Sequence, residues 1–414
     1  MASKFQAPRG TFDVLPEQAR ARRRLEATAA EIFGRAGYEP IATPAFEDTD
    51  LFERGVGRST DIVRKEMFTF EDKGGRSLTL RPEGTASVCR AYLEHGMQKL
   101  AQPVKLFYHG PFFRHERPQA GRYRQFHQLG IECIGTESPL ADAEAIMLLA
   151  DLLGEMGVPG VELRLGSLGS FEARRDYLED LKAHLHAHEG ELSKDVRERI
   201  DINPLRAFDA GDEGTRGVMA SAPTIVERLE GEDAEHFGEV RALLDAAGIA
   251  YVVDPTLVRG LDYYTRTIFS FVCDRLGAQS EIGGGGRYDG LIEQLGGAPT
   301  PAVGFAAGIE RILLALDEEP PAGGRDAFVA VADESQSRRA VALAIELRRA
   351  GLSAEVDLAG RGLKGQLKHA NRIGARRVLI LEADGSVQLR DMETGEQRPA
   401  DPGNLVEEMT GERE

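Results

Sequence analysis

Four arginines, Arg114, Arg117, Arg122 and Arg124, crowd one short stretch, and only Glu116 carries negative charge between Pro111 and Gln128. Guanidinium groups gathered this way repel, and each long side chain loses rotamer freedom when ordered, so the stretch is costly unless an anion sits against it. Paired hydrogen bonds from a planar guanidinium match phosphate oxygens, which makes a nucleotide the first expectation and a solvated basic loop the alternative. Far downstream, Arg259, Asp262, Tyr263, Tyr264 and Arg266 cluster in LVRGLDYYTRTIFSF. Four consecutive glycines follow, Gly283 to Gly286, and they weaken any regular element unless something requires close approach of the main chain. No Gly-Lys-Ser/Thr comes after them at a helix start, so they read as a strand floor under a small ligand and not as a phosphate-cradling loop. The chain has no Ser-His-Asp cue, no HExxH and no glycosidase-like carboxylate pair. Arginines spread over three stretches instead suit chemistry that brings two anions together by placement and electrostatics.

Periodicity predicts the elements that must hold these groups. Leu106, Phe107 and Tyr108 lead into the arginine-rich stretch, and Phe126, Leu129 and Ile131 lead out, as two strands around a polar turn with Pro118 and Gly121. Residues 16–36 read as a helix with Leu25, Ala29, Ile32, Phe33 and Ala36 on one face, closed by Gly37; 38–46 are extended and broken by Pro40 and Pro44. A hairpin is expected from 66–72 and 77–80, then a helix headed by RPEGT at 81–85, where Thr85 and its neighbours occupy capping positions. A helix over 141–156 and strands over 161–165 and 267–271 come next, and 302–316 read as a strand running into a helix whose first turn carries Glu310 and Arg311. Between them, 171–248 is mainly helical, with 19 Asp/Glu against 10 Lys/Arg, and reads as an inserted module. His184 and His188 would share a helix face there at ligand spacing, yet with no third ligand and no nearby Cys the face reads as solvated and no metal is expected. After a linker by composition at 317–325, strands at 327–332, 354–357, 378–382 and 386–390 alternate with helices at 336–350 and 363–373, implying a small α/β unit with a mostly parallel sheet.

Composition sets the bounds. The chain has 414 residues, enough for two or three domains, and its net charge of −17 points away from a general nucleic-acid binder. Where positive charge is placed matters more than the total, and residues 358–378 form a second basic island, with six Lys/Arg and no acid. No apolar run approaches the roughly 20 residues needed to span a bilayer, and the first residues lack the apolar core of a signal peptide. Cys89, Cys133 and Cys273 lie far apart, with no CxxC pair. A cytoplasmic protein with no membrane attachment is expected.

The residues also carry a resemblance. FRHERPQAGRYRQFHQ resembles motif 2 of the class II aminoacyl-tRNA synthetases in the form seen in the histidyl family. The helix and proline-containing strand at 16–46 resemble motif 1, which builds the dimer interface of those enzymes. RGLDYY and GGGRYD resemble the two histidyl signatures, AVGFAAGIERILLAL resembles motif 3, and the C-terminal unit resembles the anticodon-binding domain of the histidyl, glycyl, prolyl and threonyl enzymes. The resemblance implies an α+β catalytic domain with a mostly antiparallel sheet over residues 1–170 and 249–318, interrupted by a helical module at 171–248. A linker at 319–325 and an α/β anticodon-binding domain at 326–414 would complete the chain. It further implies histidine activation by ATP with Mg2+, transfer to histidine tRNA, and a homodimer. Arg114 and Arg259 would then hold the α-phosphate, with Arg114 also on the amino acid carboxylate. Arg311 would hold the γ-phosphate, Glu116 the adenine amino group and Phe126 the adenine ring. Glu83 and Thr85 would take the substrate amine; Glu132 and Tyr264 would pair with the imidazole in a pocket lined by Gln128 and Tyr263, with Arg114 and Arg259 also binding histidine; Arg117 and Gln119 would meet the tRNA acceptor end. A paralogue that keeps this fold and senses histidine as a regulatory subunit of ATP phosphoribosyltransferase is the alternative. Arg259, Arg311 and the C-terminal unit speak against it.

Overall fold

Along 104–113, Leu106, Tyr108 and Phe112 turn to one face and Phe107 to the other; along 125–134, Leu129, Ile131 and Cys133 share that second face. A period of two makes both arms strands with a core on each side. They pair antiparallel from Val104 opposite Ile134 to Phe113 opposite Gln125. The computed structural model describes residues 5–277, 280–316 and 324–411, in two compact units that change over near residue 318.

The first unit holds most of α1 (Pro16–Arg35), then β1 (Glu39–Pro40), β2 (Phe46–Asp48), α2 (Thr49–Val56), β3 (Phe68–Glu71), β4 (Ser77–Leu80) and α3 (Thr85–Glu94). It continues with β5 (Val104–Phe113), β6 (Gln125–Ile134), α4 (Pro139–Glu155), β7 (Val161–Ser167), α5 (Phe171–Ala187), α6 (Lys194–Arg197), α7 (Glu213–Met219) and α8 (Gly231–Ala246). The last elements are β8 (Val252–Val253), β9 (Thr265–Cys273), β10 (Glu281–Arg287), α9 (Leu291–Gln294), β11 (Ala302–Gly308) and α10 (Ile309–Leu316). Eight strands form one sheet in the order β1-β5-β6-β11-β10-β9-β7-β8. Only the short outer pairs β1/β5 and β7/β8 are parallel, so the sheet is mostly antiparallel, as expected.

One face of this sheet is aliphatic and aromatic. Leu25 and Phe33 of α1, Ile146 and Leu149 of α4 and Val240 and Leu244 of α8 cover it, and Phe33 meets Phe107 and Phe305 edge-on at 5.9 Å each. Such edge-on pairs add about 0.5–1.5 kcal/mol beyond their buried area. The other face is richer in tyrosine: Tyr108, Tyr263, Tyr264 and Tyr288 lie there with Val88, Cys89 and Tyr92 of α3. It has hydroxyls to offer, and the cleft opens on this side.

Three expectations need correction. The hairpin expected from residue 66 starts at Phe68, because 62–66 winds into one π-helical turn that takes Glu66 out of the strand. The helical stretch after β7 is not one body: Leu181, Leu185, Val196 and Val218 form their own core, whereas α8 rests against the main sheet, so that separate core ends short of residue 248. In the second unit, β12 (Arg325–Val331), α11 (Ser337–Arg349), β13 (Ala354–Val356), α12 (Leu363–Arg372) and β14 (Ala375–Leu381) alternate as predicted. There follow β15 (Val387–Asp391), β16 (Gln397–Ala400) and α13 (Leu405–Gly411), and the sheet order is β13-β12-β14-β15-β16. Its first two pairings are parallel and its last two antiparallel, so it is mixed. Connections through Gly385 and Gly395, both at positive φ, are too short for a crossover and leave only hairpins. Residues 317–323, most of the expected linker, lie outside the described residues. No helix among the described residues is long and apolar enough to cross a membrane.

Candidate active site

A cavity of about 670 Å³ opens on the tyrosine-rich face over β6, β10 and β11. Arg114 from the turn after β5, Arg259 from the stretch before β9 and Arg311 from the first turn of α10 all reach it, as do Glu116, Phe126 and Gln128. Each arginine is fixed in part by main-chain or carboxylate oxygens. The Nε of Arg114 donates to the Pro82 carbonyl at 2.9 Å, and its guanidinium carbon lies 5.4 Å from the centre of the Phe126 ring. The Nε of Arg311 donates to the Gly121 carbonyl at 3.1 Å, and its Nη1 to the carbonyl of Glu281. Arg259 donates from Nη1 to Glu281 Oε1 at 2.7 Å. Enclosure alone would weaken its charge, but Glu281, with Tyr264 and Tyr263 nearby, lifts it above the usual guanidinium range. The Nε of Arg259 and the Oε1 of Gln128 are buried without a hydrogen-bond partner among the described residues. Buried polar atoms left unpaired cost free energy, so both mark places where a polar ligand is accommodated.

The glycines form the floor. A Cβ on Gly284 would stand 2.9 Å from Arg259 Nη1, and one on Gly285 would run into the Gly304 carbonyl of the neighbouring strand. Any side chain here would lift the guanidinium or part β10 from β11.

Glu83, Thr85, Tyr263, Tyr264 and Tyr288 line the same cavity and give it a polar recess. Capping explains part of it, though not through Thr85: the Glu83 carboxylate accepts from the Thr85 and Ala86 amides at 2.7 and 2.9 Å and so caps α3. Burial still holds the Glu83 carboxyl above its ordinary range. Glu132 lies behind the recess wall, fully buried, accepting from Thr85 Oγ1 at 2.8 Å, from Tyr108 at 3.3 Å and from the Tyr288 hydroxyl. Burial pushes its carboxyl up to about 8, even though three hydroxyls point at it. The unfolded chain gives up this proton near pH 4.3 and the folded chain near 8, so the folded form binds the extra proton between these values. Stability from this group is therefore present below about pH 4 and is lost as pH rises through about 8. Glu132→Gln, neutral throughout, should flatten that decline. Urea midpoints at pH 5 and 8 for both proteins check it, and parallel slopes would contradict the assignment.

Not every residue singled out in the sequence joins the site. Arg117 and Gln119 are exposed on the turn, with Gln119 bridged to Arg122. Asp262 is engaged by Ser59 and by Asn203 at 3.0 Å. Arg266 leaves the predicted polar cluster: its φ of 45° swings it to Asp233, at 3.1 Å. His184 binds the Val218 carbonyl at 3.0 Å and His188 that of His184 at 2.8 Å, so the shared face is tied to main chain. Sequence reasoning passed over Glu281, Tyr288, Tyr108 and Arg122. Glu281 and Tyr288 flank the glycine run, which was the available signal. Arg122 was read only as basic charge, and it pairs with Glu116 at 3.2 Å.

An antiparallel sheet with three arginines over a glycine floor, joined to a separate mixed α/β unit, is the plan of a class II aminoacyl-tRNA synthetase. Residues 10–312 match the family described as histidyl-tRNA synthetase, and 326–412 match the anticodon binding domain. The chain is 48% identical over 411 residues to the histidine–tRNA ligase of Halothermothrix orenii, covering 97% of this chain and 98% of the relative. It is similar to the solved structure of the apo S. aureus histidyl-tRNA synthetase, with a TM-score of 0.83 and 37% identity over 98% of this chain and 99% of that one. The chain belongs to the histidyl-tRNA synthetase family. A Bacillus halodurans structure named as an ATP phosphoribosyltransferase regulatory subunit/histidyl-tRNA synthetase shares the fold, with a TM-score of 0.68 over 92% of this chain and 100% of that one, at 24% identity.

Proposed function

We propose that this chain is a histidine–tRNA ligase in which Arg114, Arg259 and Arg311 do most of the electrostatic work. It activates L-histidine with MgATP to histidyl-adenylate and pyrophosphate, then passes histidine to the terminal adenosine of histidine tRNA. One observation supports the reading most: guanidinium groups from three distant segments meet in one cleft beside a hydroxyl-lined recess. The attacking carboxylate is already ionised at neutral pH, so the first step needs no general base. It needs two anions held together while charge builds on the α-phosphate, which fixed cations in an enclosed cleft supply.

In this reading Arg259 and Arg114 hold the α-phosphate from opposite sides, Arg114 also binding the histidine carboxylate. Arg311 takes the γ-phosphate, Phe126 stacks on adenine, and Glu116 accepts from its amino group. Glu83, already capping α3, takes the substrate amine together with Thr85. The imidazole lies against Gln128, Tyr263 and Tyr264, and Gln128 Oε1 gains the partner it lacks. Glu132 acts from behind, fixing the hydroxyls of Thr85, Tyr108 and Tyr288. A recess of paired polar groups rejects analogues that leave them unpaired, by about 10⁴-fold or more. Arg117 and Gln119, exposed on their turn, are free to meet the tRNA acceptor end. Residues 1–170 and 249–318 form the catalytic domain, 171–248 the insertion, whose last helix, α8, packs on the catalytic sheet, and 326–414 the anticodon-binding domain. The protein works as a cytoplasmic homodimer. Histidine-dependent exchange of pyrophosphate into ATP tests the reading: exchange with histidine alone among the amino acids is expected. Exchange supported only by another amino acid, or none at all, would sink it and favour a histidine-sensing regulator or another acid-activating enzyme.

A further inference from the structure

One carboxylate faces the arginine group and has no place in the roles above. Glu281 opens β10, and its side chain is 44% exposed into the cleft. Strand alternation would put it on the opposite face from Gly284, three residues on. It does not, because β10 carries one extra residue relative to β9: Glu281 pairs with Val272, but Gly283 pairs with Phe271. The bulge sends Ile282 into the aliphatic core and leaves Glu281 on the cleft side, where its Oε1 binds Arg259 Nη1, the nitrogen that a Cβ on Gly284 would crowd at 2.9 Å. The carbonyl of the same residue accepts from Arg311 Nη1. A carboxylate this open contributes little to stability as an ion pair.

We infer that Glu281 is a positioning residue for adenylate formation, fixing Arg259 through its side chain and Arg311 through its main chain. With Nη1 pinned, the buried Nε of Arg259, which has no partner among the described residues, is left to donate to the α-phosphate in the proposed reaction. Enclosure would raise the Glu281 carboxyl, but Arg259, then Arg311 and Arg114, hold it below the usual range, so the pin stays charged near neutral pH.

The inference rests on the proposed ligase reading. It is tested with full-length protein by histidine-dependent pyrophosphate exchange, measuring kcat and the KM for ATP. Glu281→Ala should lower kcat by about 10- to 100-fold, as for a misaimed catalytic group, with ATP KM and thermal midpoint nearly unchanged. Glu281→Gln keeps an acceptor on Nη1 and should restore most of the loss. Undiminished kcat in the alanine variant overturns the inference. So does a lowered ATP KM alone, which would make Glu281 a competitor of the triphosphate. A glutamine variant as slow as alanine also overturns it, since charge and not aim would then matter. No exchange by the unaltered chain removes the ligase reading itself, and this inference with it.

Discussion

Arg259→Ala should lose about 10²- to 10³-fold in kcat for histidine-dependent pyrophosphate exchange, the scale seen when one preorganised donor to a developing charge is removed. The loss should fall on kcat more than on the KM for ATP, because charge on the α-phosphate grows only toward the transition state. Fold stability should change by no more than about 1 kcal/mol, since the abandoned partner, Glu281, can be hydrated from the cleft. Arg259→Lys should not rescue, because a point charge cannot be pinned at one nitrogen while donating from another. Near-normal turnover in the alanine variant would remove Arg259 from the reaction.

Arg287→Met should produce the largest loss of stability, about 3–5 kcal/mol, read from urea unfolding. Its side chain is fully buried, Nε standing 3.2 Å from both Asp142 oxygens, while Nη1 donates to the Thr136 carbonyl at 2.8 Å and Nη2 to that of Ser138 at 3.1 Å. Methionine fills much of the volume but strands Asp142, whose remaining side-chain partner among the described residues is His236 at 3.4 Å. Leaving a buried carboxylate unpaired costs more than losing an apolar contact. Arg287→Met with Asp142→Leu should recover much of the loss. If the double variant is as unstable as the single, the cost comes from packing and not from stranded charge.

Much of this was legible in the chain, and what was missed has physical causes. The hairpin at 104–134 was readable because its apolar residues alternate and its turn is dense in one charge. The glycine floor was readable because a four-glycine run is expensive in any ordinary strand. Glu281 was not, because its direction depends on a bulge, and alternation alone sends it to the other face. Glu132 was assigned to the imidazole pocket, and its hydrogen bonds from Thr85, Tyr108 and Tyr288 emerge only when the strands and α3 are assembled. Arg266 looked like a member of the polar cluster until a positive φ turned it away. The mixed sheet of the second unit escaped notice because β16 is a short run containing Pro399, a weak signal for a strand.

The outermost strands of the eight-stranded sheet, β1 and β8, are each two residues long, and β1 ends in Pro40. A foreign chain seeking to extend this sheet would find little amide or carbonyl ladder on β1 or β8 themselves, and a proline ends one of them. Growth by strand addition, the usual route to fibrils and swapped assemblies, is thereby discouraged at both rims. Partners of this unit are left to engage it through side chains and loops.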